Sequence, residues 1–170
     1  MRLPAWLSPI GLLALVACHP PAARSAESIL AASLPGLLEP PLSPACGSAP
    51  VPARPTRLLL VTARHCLSCR SMGLVMRRLA LRAGGELAVF IPSRDAEAVC
   101  TFARQERLAI PIVAVSGPAF PAGALDDRFL YGEVDVRGAV TRAQLAEDAE
   151  EFFAHANGDV ARPATGASPH

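Results

Sequence analysis

From Arg57 to Ala156 the hydrophobic positions change spacing repeatedly, and each change marks an element. "RLLLVTA" (57–63) is a continuous apolar run suited to a buried strand. In "CLSCRSMGLVMRRLALRA" (66–83), Met72, Val75, Met76 and Leu79 fall at i, i+3, i+4 and i+7 with arginines on the other side, which predicts an amphipathic helix. "ELAVFI" (86–91) reads as a second strand. Ser93 or Asp95 then caps a helix over 96–108 that buries Val99, Phe102 and Ala103. "IPIVAV" (110–115) is a third strand opened by a proline, and "RFLYGEVDV" (128–136), after a Gly/Pro loop, a fourth. "GAVTRAQLAEDAEEFFAHAN" (138–157) predicts a closing helix, with Thr141 and Gln144 as a T-x-x-Q capping box and Leu145, Ala149 and Phe152 on one face. The expected order is βαβαββα, an α/β domain over 58–156 with a central mixed sheet flanked by helices.

The first residues follow a different pattern. "MRLPAWLSPIGLLALVACHP" has one charge at Arg2, an apolar run to Ala17 and then Cys18. The run is too short and too often interrupted by Pro4 and Pro9 for a membrane span, so 1–17 reads as a signal peptide. Leu15-Val16-Ala17-Cys18 resembles the bacterial lipobox, which implies lipidation at Cys18 and anchorage at the periplasmic face of a membrane. A plain cleaved signal, giving a soluble periplasmic or secreted protein, is the alternative. Residues 18–57 are rich in Pro, Ala and Ser and read as a spacer, with a short helix over 26–34 as its one candidate element. The polar end, 157–170, is expected to be disordered.

Composition narrows the function classes without naming one. A net charge of +1 gives no reason to expect a nucleic-acid partner. The charge is unevenly spread: seven arginines and no acid lie between Arg54 and Gly85, while nine of the 15 acids lie between Asp126 and Asp159. The arginine run fits a solvated helix face, or a docking surface for an acidic partner.

Chemistry concentrates at Cys66-Leu67-Ser68-Cys69. A CxxC between a strand and a helix puts its first cysteine near free amides that favour a thiolate, so Cys66 is the candidate nucleophile and Cys69 the resolving thiol. Arg64, His65 and Arg70 add positive charge close by. A static disulfide is one alternative. A copper or zinc site using His65, Cys66 and Cys69 is another, short of the four ligands zinc usually takes. Cys100 reads as a small core residue; if 66 and 69 pair, it is also free to bridge Cys46 and tie the spacer to the domain.

This arrangement resembles the thioredoxin superfamily over about residues 58–156. The resemblance rests on the apolar strand, "A-R-H-C-L-S-C-R", the helix–strand–helix that follows, and Ile110-Pro111 opening a strand 45 residues after Cys66. It implies a compact thioredoxin-like fold in which Pro111 lies against the cysteines, with Ile110, Pro111 and His65 contributing to substrate binding. The implied activity is thiol:disulfide exchange with protein thiols and disulfides, through catalytic Cys66 and Cys69 and without a bound cofactor or metal. A reductase for cytochrome or metalloprotein maturation, served by a membrane electron donor or acceptor, is the favoured form; an oxidase or isomerase stays open. The competing class is a non-enzymatic binding or copper-delivery module.

Overall fold

The computed structural model describes residues 24–39, 42, 44–46, 49–68, 70–83 and 85–156. Among the described residues the strands form one six-stranded mixed sheet: five principal strands, plus a three-residue strand at one edge. None of the described helices is long and apolar enough to cross a membrane. The signal segment, Cys18, Cys69 and the tail 157–170 lie outside the described residues.

The elements in chain order are α1 (Ala26–Leu37), β1 (Pro44–Cys46), β2 (Arg57–Leu60), α2 (Ala63–Ser68), α3 (Arg70–Ala83), β3 (Leu87–Pro92), α4 (Ala96–Gln105), β4 (Ile112–Val115), α5 (Ala122–Leu125), β5 (Phe129–Val134), β6 (Val140–Ala146) and α6 (Ala149–Ala156). The sheet order is β1-β4-β3-β2-β5-β6. β2, β3 and β4 run parallel, aligning Leu60 with Phe90 and Phe90 with Val113. β5 lies antiparallel on β2, and β6 antiparallel on β5. β3 is buried along its whole length, as expected of a strand in a parallel sheet covered on both faces.

Strand alternation sorts side chains to two cores. Leu59, Val61, Val89, Ile91 and Ile112 face α3, α4 and α6, where they meet Met72, Val75, Met76, Leu79, Val99, Phe102 and Phe152. Leu58, Leu60, Phe90, Val113 and Leu130 face α1. The amphipathic stripes expected on α3 and α4 are therefore the buried ones. Arg77, Arg78 and Arg82 of α3 are exposed, Arg77 pairing with Glu106 at 3.0 Å and Arg78 lying 4.6 Å over the Phe153 ring.

Two expectations are corrected. Part of the presumed spacer belongs to the domain: α1, capped by Ser25 Oγ accepting from the Ser28 amide at 3.2 Å, buries Ile29, Leu30, Leu34 and Leu37 on the sheet. Each such side chain is worth about 1.5–3 kcal/mol when fully buried, which explains why an Ala- and Pro-rich stretch orders here. Leu30 comes so close to β5 that a Cβ at Gly132 would sit 2.2 Å from its Cδ2.

The closing helix is also shorter than its sequence pattern. Val140–Ala146 is strand β6, and the helix begins only at Ala149. Thr141 and Gln144 form no capping box; the buried Gln144 Nε2 donates to the Phe152 carbonyl at 3.1 Å. The cap is Asp148, whose Oδ1 accepts from the Glu151 amide at 2.9 Å while Glu151 Oε2 accepts from the Glu147 amide at 2.5 Å. Pairing with β5 offers 140–146 a ladder of backbone bonds and burial that a solvent-facing helix there would lack. The order from β2 onward thus gains a strand, βαβαβββα, with α5 as a single turn inside the Gly/Pro loop.

Candidate functional site

The parallel strands end at a common edge, and the turn after β2 carries the cysteine motif there. Crevices at the carboxyl ends of parallel strands are where open α/β sheets place their chemistry. β2 stops at Leu60, Val61 stays buried, and α2 starts at Ala63. Cys66 lies in the fourth position of α2. The motif thus begins at the fourth residue of α2 and not at the very start of the helix, as its pattern suggests.

Four contacts hold this turn. The His65 amide donates to the Thr62 carbonyl at 3.1 Å, closing the first turn. The Thr62 amide donates to His65 Nδ1 at 3.1 Å, with Thr62 Oγ1 3.2 Å from the same nitrogen. The Ala63 amide, the first of α2, donates to Asp95 Oδ2 at 3.2 Å. Asp95 sits after β3, in the 3₁₀ turn Ser93–Asp95 that leads into α4. It occupies the N-cap position of α4 but makes no side-chain cap there. The expected cap of the 96–108 helix is instead a clamp on the cysteine helix, from an element 32 residues away.

His65 is 5% exposed, its ring edge-on to Phe129 at a centroid distance of 6.4 Å. Its Nε2 is buried and has no hydrogen-bond partner among the described residues. Burial pushes the imidazole pKa below its ordinary value, the Arg64 charge adds to this, and the backbone and carboxylate of Asp127 act against it. The ring is accordingly neutral, and the Thr62 amide fixes its tautomer: Nδ1 is the acceptor, so Nε2 carries the proton. A neutral ring held this way has no free lone pair for copper or zinc, which counts against His65 as a metal ligand. Arg64, on the exposed side of α2, pairs with Asp127 before β5.

Ile110 and Pro111 are buried but lie elsewhere. The Pro111 carbonyl accepts from the Val89 amide at 3.0 Å, and β3 stands between β4 and β2. Since Val89 aligns with Ile112, Pro111 is level with Ala88 and hence with Leu58, at the far end of β2 from Cys66. Two strand spacings put it about 10 Å to the side, and the climb from Leu58 to the turn after Val61 adds at least about 10 Å more. By register Pro111 thus lies level with the start of β2 and across β3 from it, away from the turn that follows Val61, because the strand it opens joins the parallel side of the sheet.

The remaining described cysteines form a disulfide. Cys46 on β1 and Cys100 on α4 are joined at 2.04 Å, both buried among the side chains around α3 and α4. The bridge fastens the edge strand to the helix that follows Asp95. Thr62, Asp95 and Asp127 were not picked out as site residues by sequence pattern. The available signal was an acid directly after the second parallel strand, which topology carries to the same edge as the turn after the first.

The chain matches no family model, no curated protein and no solved structure.

Proposed function

We propose that the chain is an exported thiol:disulfide oxidoreductase of thioredoxin-like kind, in which Cys66 exchanges with protein thiols or disulfides and Cys69 resolves the mixed disulfide. The observation that carries this reading is the division of labour among cysteines. Cys46 and Cys100 already form the buried structural bridge, so the CxxC at the carboxyl edge of the parallel strands is not needed as a staple. A strand–turn–helix setting at such an edge suits a nucleophile that must meet a partner's sulfur. The lasting bridge 46–100 supports an oxidising compartment, in line with the signal-like N-terminus and lipidation at Cys18. The α/β architecture with a mixed open sheet is compatible with a thioredoxin-like fold. Substrate recognition is assigned here to groups at the carboxyl edge and not to Ile110-Pro111.

The exchange needs no bound cofactor, since the two electrons move with the sulfur–sulfur bond: the Cys66 thiolate attacks the partner disulfide, one partner sulfur leaves as thiol, and Cys69 displaces the other. The reverse sequence oxidises a partner dithiol. The test is Cys69→Ser in cells, which should accumulate mixed disulfides through Cys66 with exported or membrane partners. If no such adduct forms and the purified protein neither reduces nor oxidises any disulfide, the chain is not an exchanger.

A further inference from the structure

Asp95 reaches from the end of β3 to the first amide of the helix that holds Cys66. Its side chain is 19% exposed, so its charge is only partly screened by water. We propose that Asp95 is a positioning residue that restrains formation of the Cys66 thiolate, keeping this thiol less acidic than its basic surroundings would make it. This rests on Cys66 being the exchanging thiol.

The argument starts from distance. The carboxylate oxygen is 3.2 Å from the Ala63 nitrogen, and three helical residues rise about 4.5 Å from there to Cys66. A full negative charge therefore stands within roughly 8 Å of the Cys66 backbone, along a helix axis that would otherwise present its positive end. A charge of that sign opposes ionisation of a thiol, and in partly buried surroundings a separation of this size is worth roughly half to one logarithmic unit in acidity.

Among the described side chains, the other groups near this corner do not cancel the effect. Arg94 Nε lies 3.8 Å from the second carboxylate oxygen and is 78% exposed at its side chain, so it balances the carboxylate only in part. Arg64 is engaged with Asp127. His65 is neutral, with Nδ1 taken by the Thr62 amide. An arginine-rich segment that would favour a strongly acidic thiol is thus checked by one acid brought from the turn after β3.

The charge and the hydrogen bond can be separated. Asp95→Asn retains an oxygen acceptor for the Ala63 amide and removes the charge; Asp95→Ser removes the charge with a side chain too short to keep that reach. Each is made in the full chain carrying Cys69→Ser, with the 46–100 bridge intact, and the rate of Cys66 alkylation by iodoacetamide is followed by peptide mass from pH 5 to 9. Both variants should shift the profile to lower pH, with Cys66 reacting roughly three- to tenfold faster at pH 6, and Asp95→Asn should melt close to its parent. An unchanged profile in both variants, or a shift to higher pH, overturns the proposal. A loss of thermal stability with no shift in the profile assigns Asp95 a purely structural cap and overturns it equally. The readout does not depend on turnover, so it stands apart from the mixed-disulfide test of the exchange reading.

Discussion

The Thr62 amide and His65 Nδ1 are joined at 3.1 Å across the turn that ends β2, and this bond is made by the neutral imidazole that burial already favours. A protonated ring would carry hydrogen on both nitrogens, so the amide would face a donor and a buried cation would lack an acceptor. The turn that presents Cys66 is therefore coupled to the protonation of its neighbour.

The first prediction is a loss of stability in mild acid. His65 titrates below its ordinary value of 6.5 in the folded chain, so the unfolded chain binds the proton more readily. The stability from the neutral imidazole is complete above the unfolded value and falls as pH drops through and below it. Denaturant midpoints at pH 7.5, 6.5 and 5.5 should fall in that order, and His65→Asn, whose side-chain oxygen can still accept from the Thr62 amide, should flatten the dependence.

The disulfide should carry a large share of stability. Cys46 and Cys100 close a loop with a sequence separation of 54, for which loop entropy alone gives about 4 kcal/mol. Replacing both with Ala in a chain that also carries Cys66→Ala and Cys69→Ser should lower the unfolding free energy by about 2–5 kcal/mol in guanidinium titrations. A change under about 1 kcal/mol would mean that β1 and α4 hold together without the bridge.

Gly132 and Leu30 should behave as one unit. A Cβ at 132 would meet the Leu30 side chain at 2.2 Å, so Gly132→Ala should cost about 1–3 kcal/mol by overpacking. Leu30→Ala should cost about 2–5 kcal/mol through the cavity it leaves. The double variant should lose clearly less than the sum, because the second change makes room for the first. Additive losses would place α1 farther from β5 than this structure does.

Pro111→Ala should leave exchange chemistry alone. With Pro111 level with Leu58 and separated from β2 by β3, the alkylation rate of Cys66 and its rate of exchange with a small disulfide should stay within about twofold of the parent, a change of under about 0.5 kcal/mol in barrier. A loss of tenfold or more would return Pro111 to the cysteines and contradict the observed register.

Much of the core was legible in the pattern. Met72, Val75, Met76 and Leu79 are buried as their spacing requires, as are Val99, Phe102 and Ala103. These stripes persist because the helical period fixes which side chains share a face, whatever that face meets. The cysteine motif was visible too, as was its place after a buried strand. Residues 140–146 misled because Thr141 and Gln144 match a helix start locally, whereas the unpaired edge of β5, which draws them into a strand, is invisible to a local window.

The sequence by itself determined the α/β alternation, the inward faces of α3 and α4, and the residue types available for sulfur chemistry. Only the tertiary structure decided that α1 covers the second face of the sheet, that Cys46 meets Cys100, that β4 carries Pro111 away from the motif, and that Asp95 caps α2 instead of its own helix. The division has one physical cause. Periodicity and capping act over a few residues and leave a local trace, whereas strand order and register come from competition among all edges and faces for burial and backbone pairing, so they appear only once the whole chain is packed.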